Sequence, residues 1–406
     1  MDRVILHCDC NSFFASVETV LNPAYKNVPM AVCGSEEDRH GIVLAKNELA
    51  KRYGIETAET VHSAKRKCPG LVIAKPHHRE YVTFSKRVNE IYADYTDMIE
   101  PFGIDESWLD VTASQKLFGS GEKIANEIRE RVKREIGLTV SVGVSFNKVF
   151  AKLGSDYKKP DATTFISREN YKQIVYPLPV GSLLFVGKKT CEQLRLIGVR
   201  TVGELSELSR ELLTARFGKA GNMLYDYSHG IDESPVAPRD TREDRKSVGS
   251  GFTFRHDLVT SDEYRIGIEY LADDIGRRLR RLGMLCTTVQ LTVKDEYLRT
   301  IQRQRPQSPA TDISREIAKT AYAILSDEWS PGRPVRMLTV TATGLVPRES
   351  SAEQISLFDD GEDERRSRAE KREKTVDEIL QRYGSGAITS GAVLSTDIGI
   401  EHSKDR

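Results

Sequence analysis

Three carboxylates stand out among the sixty acidic residues of this 406-residue chain. Asp9 ends the apolar run that begins Val4-Ile5-Leu6, and Asp105-Glu106 lies almost a hundred residues later in the hairpin-like string EPFGIDESWLDV. If the two segments are neighbouring strands of one sheet, all three acids converge on one side of it. Acids clustered on rigid strands suit Mg²⁺, a hard ion that takes oxygen ligands and leaves room for substrate phosphates. Two such ions can activate a 3′-hydroxyl and stabilise a departing pyrophosphate in an in-line displacement. An Asp-Glu pair by itself is more often a solvated turn, so the flanking sequence has to decide. DCNSFFASVE follows an apolar strand, GIDESWLDVT lies in an apolar hairpin, and SVGVSFNKVFAKLGSDYKKPD completes the set.

Other residues have both a chemical and a structural reading. Phe13 and Phe14 could be core aromatics at the start of a helix. Lys51 could be a solvated helix residue or a phosphate contact, and Lys159 follows in DYKKP. LLFVGKKTCEQLRLIGVRTVGEL reads as a helix-hairpin-helix: a tight turn at Gly187 would bring backbone N–H groups to a phosphate, with Lys188 and Lys189 adding charge. Gly198 and Gly203 punctuate a second turn, and an ordinary helical hairpin is the plainer alternative. Arg277, Arg278, Arg280 and Arg281 form a basic run on a helix, usually no more than a solvated face, while Arg242, Arg245 and Lys246 sit in a linker; the two sets are equal candidates for contact with a polyanion.

The elements that must hold these residues can be sketched from periodicity. A strand ends at Asp9 and a helix follows from Ser12; short strands fall near 31–33 and 41–44, and a helix over 47–53 stops at Gly54. Helices over 81–95 and 123–136 flank the hairpin 99–111, and a strand over 139–144 leads to a helix from Asn147. Strands and helices alternating in this way predict an α+β core. From 170 to 230 the pattern is helical and glycine-punctuated, and the polar stretch SPVAPRDTREDRKS follows. Beyond it, strands near 248–254, 286–294, 299–302 and 335–342 with helices near 264–282 and 314–325 make a β-α-β-β-α-β domain. From Pro347 the chain is charged and reads as a mobile tail with one short helix near 375–383.

Composition decides less. Basic and acidic residues balance to a net charge of zero, which argues against non-specific stickiness but not against DNA binding, because placement matters more than the sum. No apolar stretch is long enough to span a bilayer, and the first residues lack a signal-peptide pattern, so a cytoplasmic, nucleoid-associated protein is expected. Six scattered cysteines include Cys8-x-Cys10, better explained by alternation on a buried strand than by zinc, and His77-His78 reads as a surface pair.

The three blocks around the acids resemble the Y-family translesion DNA polymerases, above all their bacterial DNA polymerase IV branch, in order and at the family's spacing from residue 1 to about 345. The resemblance implies a right-hand polymerase: palm at 1–12 and 77–168, small fingers at 13–76, a helix-hairpin-helix thumb at 169–232, a linker at 233–243, and a little finger at 244–345. It implies Asp9, Asp105 and Glu106 as ligands of two Mg²⁺ ions, with the Cys10 carbonyl adding a ligand, and Glu106 at the position of the family's catalytic glutamate. It makes Phe14 a steric gate against the ribose 2′-hydroxyl, with Phe13, Lys51 and Lys159 also at the nucleotide. Lys51 stands where many members carry arginine, Glu48 where many carry tyrosine, Asn11 where the polymerase IV branch commonly has aspartate, and Ser107 where alanine is frequent. Lysine cannot offer a phosphate the bidentate fork of arginine.

In the tail, Gln354-Ile355-Ser356-Leu357-Phe358 resembles the bacterial sliding-clamp binding motif QxxLF, a peptide that places Leu357 and Phe358 in an apolar pocket and hydrogen-bonds through Gln354. The implied partners are primer-template DNA, dNTP and a sliding clamp, with no membrane and a monomeric enzyme. No proofreading motif is evident. Two rival readings are a specialised nucleotidyl transferase of the same fold and a catalytically silent DNA- and clamp-binding scaffold.

Overall fold

Ile5–Cys10 (β1) is buried at all six positions, as a strand must be when it has a partner on each edge and cover on both faces. The structure, a computed structural model, describes residues 2–35, 39, 41–241, 244–330, 332–350, 362–384, 386–388, 391–394 and 396–400. They fall into two compact units, the first comprising residues 1–34 and 42–242 and the second 35–41 and 243–406.

In the first unit, Met30–Cys33 (β2), Val43–Lys46 (β3) and Val72–Ala74 (β4) form a small sheet in the order β3-β2-β4, within the stretch 13–76 expected as fingers. The main sheet joins β1 to Ile99–Pro101 (β5), Glu106–Asp110 (β6), Val140–Ser145 (β7) and Thr163–Ile166 (β8), in the order β5-β6-β1-β7-β8. Strand alternation then sorts β1 by face. Leu6, Cys8 and Cys10 join the core formed with helices His78–Ala93 and Gly121–Ile136, so the Cys-x-Cys string is core packing. Ile5, His7 and Asp9 take the other face.

On that second face lies helix Lys148–Tyr157, started by Asn147, whose side-chain oxygen accepts from the Phe150 N–H at 2.8 Å. Two glycines bring the helix down onto the sheet. A Cβ on Gly143 of β7 would stand 1.9 Å from the Ala151 carbonyl oxygen and 2.5 Å from the Ser155 nitrogen. From the helix side, a Cβ on Gly154 would stand 2.9 Å from the Gly143 Cα. Here backbone lies on backbone, and no side chain can yield.

The stretch expected as a thumb is a cluster of short helices, Lys188–Arg195, Val202–Ser206, Arg210–Phe217 and Lys219–Ser228. Their apolar residues share one core with Phe146, Val149 and Phe150 beside the sheet. The stretch expected as a linker is strapped down at its start: Val236 is buried with Ile5 and Trp108, and the Arg239 N–H donates to the Asp97 carbonyl at 3.0 Å.

The second unit has the expected β-α-β-β-α-β order. Ser247–Leu258 (β9), Met284–Lys294 (β10), Thr300–Thr311 (β11) and Val335–Pro347 (β12) form a sheet ordered β11-β10-β12-β9. Helices Ser261–Leu282 and Ser314–Glu328 pack on one face. Strand β11 runs far past the expected residues 299–302, through Pro306 and Pro309. It is an edge strand, where a missing N–H costs little.

The expectation of a mobile tail is corrected for the described part. Glu362–Tyr383 is a 22-residue helix on this unit, and Ile398 and Ile400 are buried in its core. The Arg255 N–H donates to the Ile398 carbonyl at 3.1 Å. The helix is highly charged and is held by charge: Arg280 pairs with Asp377 at 2.6 Å and with Glu373 at 3.1 Å, and Ser314 donates to Glu373 at 3.0 Å. The Gln354–Phe358 motif lies outside the described residues.

Candidate active site

The antiparallel register of β1 with β6 sets Asp9 directly opposite Glu106. The next residue on each strand is tied across the gap, Cys10 N–H donating to the Asp105 carbonyl at 3.0 Å. Asp9, Cys10, Asp105 and Glu106 therefore line one cleft of about 300 Å³, as the spacing of the two motifs requires.

Helix Lys148–Tyr157, pressed close by the two glycines, delivers cations to these acids. Lys152 Nζ lies 2.7 Å from Glu106 Oε2 and 3.6 Å from Asp9 Oδ2. Lys159, just past the helix, donates to Asp9 Oδ2 at 2.7 Å and pairs with Asp156 at 2.7 Å. His7, two residues before Asp9 and so on the same face, sits 3.3 Å from Glu106 Oε2. Sequence reasoning missed Lys152 and His7. The available signals were the i, i+4 spacing of Lys148, Lys152 and Asp156 on one helix, and the period of two on β1.

The acids are not equivalent. Burial pushes Asp9 up to about 7, with Lys159 pulling it down and Glu106 repelling. Burial and the neighbouring Glu106 raise Asp105 as well. Burial also acts to raise Glu106, but hydrogen bonds from His7 and Lys152 outweigh it and bring the group down to about 2. Two raised carboxyls in one cleft mark a place that favours added positive charge. The donor set, three carboxylates and a backbone carbonyl, is all hard oxygen, which fits Mg²⁺. Among the described residues no ready-made cage of three or more ligands is formed; the lysine ammoniums pair with Asp9 and Glu106.

The same cleft is lined by Phe13, Phe14, Lys46, Lys51 and Lys159. Phe13 is 3% exposed, so only an edge of it reaches the cleft and most of its ring is core. Phe14 is half-buried and stacks on Tyr81, centroids 4.1 Å apart and planes within 12°. Tyr81 is fixed in turn by donating to the buried Glu18 at 2.5 Å. Glu48 does not line the cleft; it faces Ser12 Oγ at 3.4 Å and Lys51 at 3.7 Å. Its carboxylate thus sits beside two residues that line the cleft and offsets part of the Lys51 charge. Lys46, on β3, was not anticipated.

Comparison with known proteins agrees with this geometry. The impB/mucB/samB family model matches residues 8–156 and its C-terminal-domain model residues 245–357. A DNA polymerase-iota thumb-domain model matches residues 183–232. DNA polymerase IV of Acetivibrio thermocellus is 48% identical over 394 residues, covering 97% of this chain and 98% of that protein. DNA polymerase IV of Moorella thermoacetica is 37% identical over 400 residues, covering 98% of each. The chain belongs to the Y family of DNA polymerases. Its enzyme class is thus DNA-directed DNA polymerase. A solved Y-family chimera of Dbh and Dpo4 shares the fold with a TM-score of 0.75 at 22% identity, over 85% of this chain and 99% of that one.

For a Y-family chain the remaining candidates concern DNA. Gly187 is the N-cap of helix Lys188–Arg195 with φ −82°, extended rather than tightly turned, and a Cβ there would meet nothing within 4 Å. The expected tight glycine turn is instead made at Phe185, φ 65°. Gly187, Lys188 and Lys189 are all exposed. Gly198 has the expected left-handed φ of 87°, whereas Gly203 sits inside a helix packed on Tyr176. Arg280 is withdrawn from candidacy by its ion pairs with the C-terminal helix. Arg245 and Lys246 are exposed just before β9, and Arg242 lies outside the described residues. The sheet face opposite the helices of the second unit aligns Gly251, Thr339, Thr292 and Gln302 in one row, and Gly249, Thr341, Gln290 and Gln304 in the next. These two rows are polar and uncharged, and Lys294 follows on the same face in the next row. Among the described residues no helix is long and apolar enough to cross a membrane.

Proposed function

We propose that this chain is a template-directed, low-fidelity polymerase for translesion synthesis that transfers a nucleotide from dNTP to a primer 3′-hydroxyl without proofreading. The observation that carries the reading is the Asp9–Glu106 register, which puts three carboxylates on facing strands at a cleft walled by Phe14 and lysines. Asp9, Asp105, Glu106 and the Cys10 carbonyl would hold two Mg²⁺ ions, which when bound supply a lowered pKa at the primer hydroxyl and neutralise the phosphates. Phe14, backed by Tyr81, fills the volume beside the sugar 2′ position and so rejects ribonucleotides by shape. Lys51, Lys46 and Lys159 face the triphosphate, and Lys159 exchanges Asp9 for phosphate when the nucleotide arrives.

Outside the cleft the contacts track backbone. Gly187, Lys188 and Lys189 at a helix start suit one phosphate strand, and Arg242, Arg245 and Lys246 suit another. The polar sheet face of the second unit can lie along a duplex without reading bases, which suits a damaged template. Gln354, Leu357 and Phe358 would tether the enzyme, a monomer in the cytoplasm at the nucleoid, to a sliding clamp. The test is primer extension on undamaged and lesion-bearing templates with each dNTP separately. Extension by each dNTP opposite its complementary template base supports the reading, one dNTP accepted whatever the template base points to a specialised transferase, and binding without extension leaves the scaffold.

A further inference from the structure

His7 has no assigned part in this chemistry, yet its surroundings are built for one. It lies on β1 two residues before Asp9, is fully buried, and stands edge-on to Trp108 with ring centroids 5.2 Å apart. The indole is itself pinned, its N–H donating to the Lys148 carbonyl at 3.0 Å. On one side of the imidazole, Nδ1 lies 2.8 Å from Ser155 Oγ. On the other, Nε2 faces Glu106 Oε2 at 3.3 Å, and neither atom has an aligned hydrogen-bond partner among the described residues. That oxygen is sealed from solvent, while the Glu106 side chain as a whole is 21% exposed. The part of the carboxylate shown to the cleft is therefore its other oxygen.

We propose that His7 is a positioning residue for Glu106: with Lys152 it holds Oε2 from beneath, so that the second oxygen stays aimed into the cleft. A carboxylate oxygen can only accept, so Nε2 must carry the proton. Nδ1 is then the acceptor for the Ser155 hydroxyl. That hydroxyl is also placed to donate to the Lys152 carbonyl at 2.8 Å, so the Nε2–H tautomer requires its single proton to turn to Nδ1; a proton kept on the carbonyl would make Nδ1 the donor and defeat the proposal.

The inference rests on the proposed role of Glu106, and its test separates the two. Long-range ¹H–¹⁵N spectra of the wild-type enzyme labelled at histidine should show His7 as the Nε2–H tautomer, with its signals shifted by Glu106→Ala; an Nδ1–H tautomer overturns the proposal. His7→Phe keeps an aromatic ring but removes the donor. It should lower kcat for nucleotide incorporation about tenfold to a hundredfold, the range of one hydrogen bond to a charged group, with KM for dNTP little changed. Mn²⁺ binding to the enzyme alone, read by paramagnetic resonance, should weaken several-fold. His7→Gln, whose amide nitrogen can occupy the Nε2 position, should restore most of kcat. Wild-type kcat and Mn²⁺ affinity in His7→Phe beside an inactive Glu106→Gln would refute the role of His7 alone. An active Glu106→Gln would instead remove the reading on which it rests.

Discussion

The contact between Gly143 and helix Lys148–Tyr157 can be broken with a single methyl group, and the consequence can be worked out in advance. In Gly143→Ala the new Cβ would lie 1.9 Å from the Ala151 carbonyl oxygen and 2.5 Å from the Ser155 nitrogen. Ordinary contact needs about 3.4 Å, so the helix must lift by roughly 1.5 Å. Overpacking of this kind costs about 1–3 kcal/mol, and more where backbone is the obstacle. At roughly 2–4 °C per kcal/mol for a unit of this size, Tm should fall by about 2–12 °C. The same lift carries Lys152 away from Glu106, from 2.7 Å to about 4 Å, beyond hydrogen-bond reach. A misplacement near 1 Å can cost about a hundredfold in rate. Thermal unfolding by circular dichroism and single-nucleotide incorporation under single-turnover conditions would measure both losses. Gly187→Ala is the control, because a Cβ there meets nothing; its Tm should stay at the wild-type value. A Gly143→Ala enzyme with wild-type Tm and rate would refute the claim that this contact sets the height of the helix over the acids.

Phe14→Ala should raise ribonucleotide incorporation by about an order of magnitude or more, because the volume beside the 2′ position opens; the ratio of CTP to dCTP incorporation reads it directly. Changing Leu357 and Phe358 to alanine should abolish stimulation by a loaded sliding clamp and leave synthesis on a short primed oligonucleotide intact. The two side chains bring roughly 3–6 kcal/mol before ordering costs, a weak and exchangeable grip. Truncation after residue 361 should destabilise the second unit rather than trim a free tail, since it strips Val393, Ile398 and Ile400 from the core and leaves Arg280 without Glu373 and Asp377. Three aliphatic side chains at about 1.5–3 kcal/mol each set an upper scale of roughly 5–9 kcal/mol, visible as a lower unfolding midpoint in urea.

The acids and their strands were legible because the site is built from strand ends. A buried run ending in Asp9 and a hairpin carrying Asp105-Glu106 leave one face for the carboxylates if the strands are neighbours, and the β1–β6 pairing supplies that condition. Lys152, His7 and Ser155 were not legible, because their roles arise when a helix lands on a sheet at a height set by two glycines. Strand β11 extends beyond the expected 299–302 through Pro306 and Pro309, which an edge position tolerates and which nothing local in the sequence announces. Only the last turns of helix Glu362–Tyr383 match the short helix expected near 375–383, because its sequence has few apolar residues; its anchors are ion pairs with partners such as Arg280, nearly a hundred positions away. Gly187 was credited with a turn that Phe185 makes, because a left-handed φ in a non-glycine residue leaves no mark in composition.

The central claim is that Asp9, Asp105 and Glu106 form one metal-dependent site for nucleotidyl transfer, separate from the surfaces that hold DNA. Single-nucleotide incorporation and primer-template affinity measured side by side for Asp105→Ala and Glu106→Ala test it most directly. Incorporation should fall by at least about three orders of magnitude, as expected when groups that act only in the transition state are lost, while the Kd for DNA stays within about twofold. Wild-type incorporation in either variant would contradict the assignment.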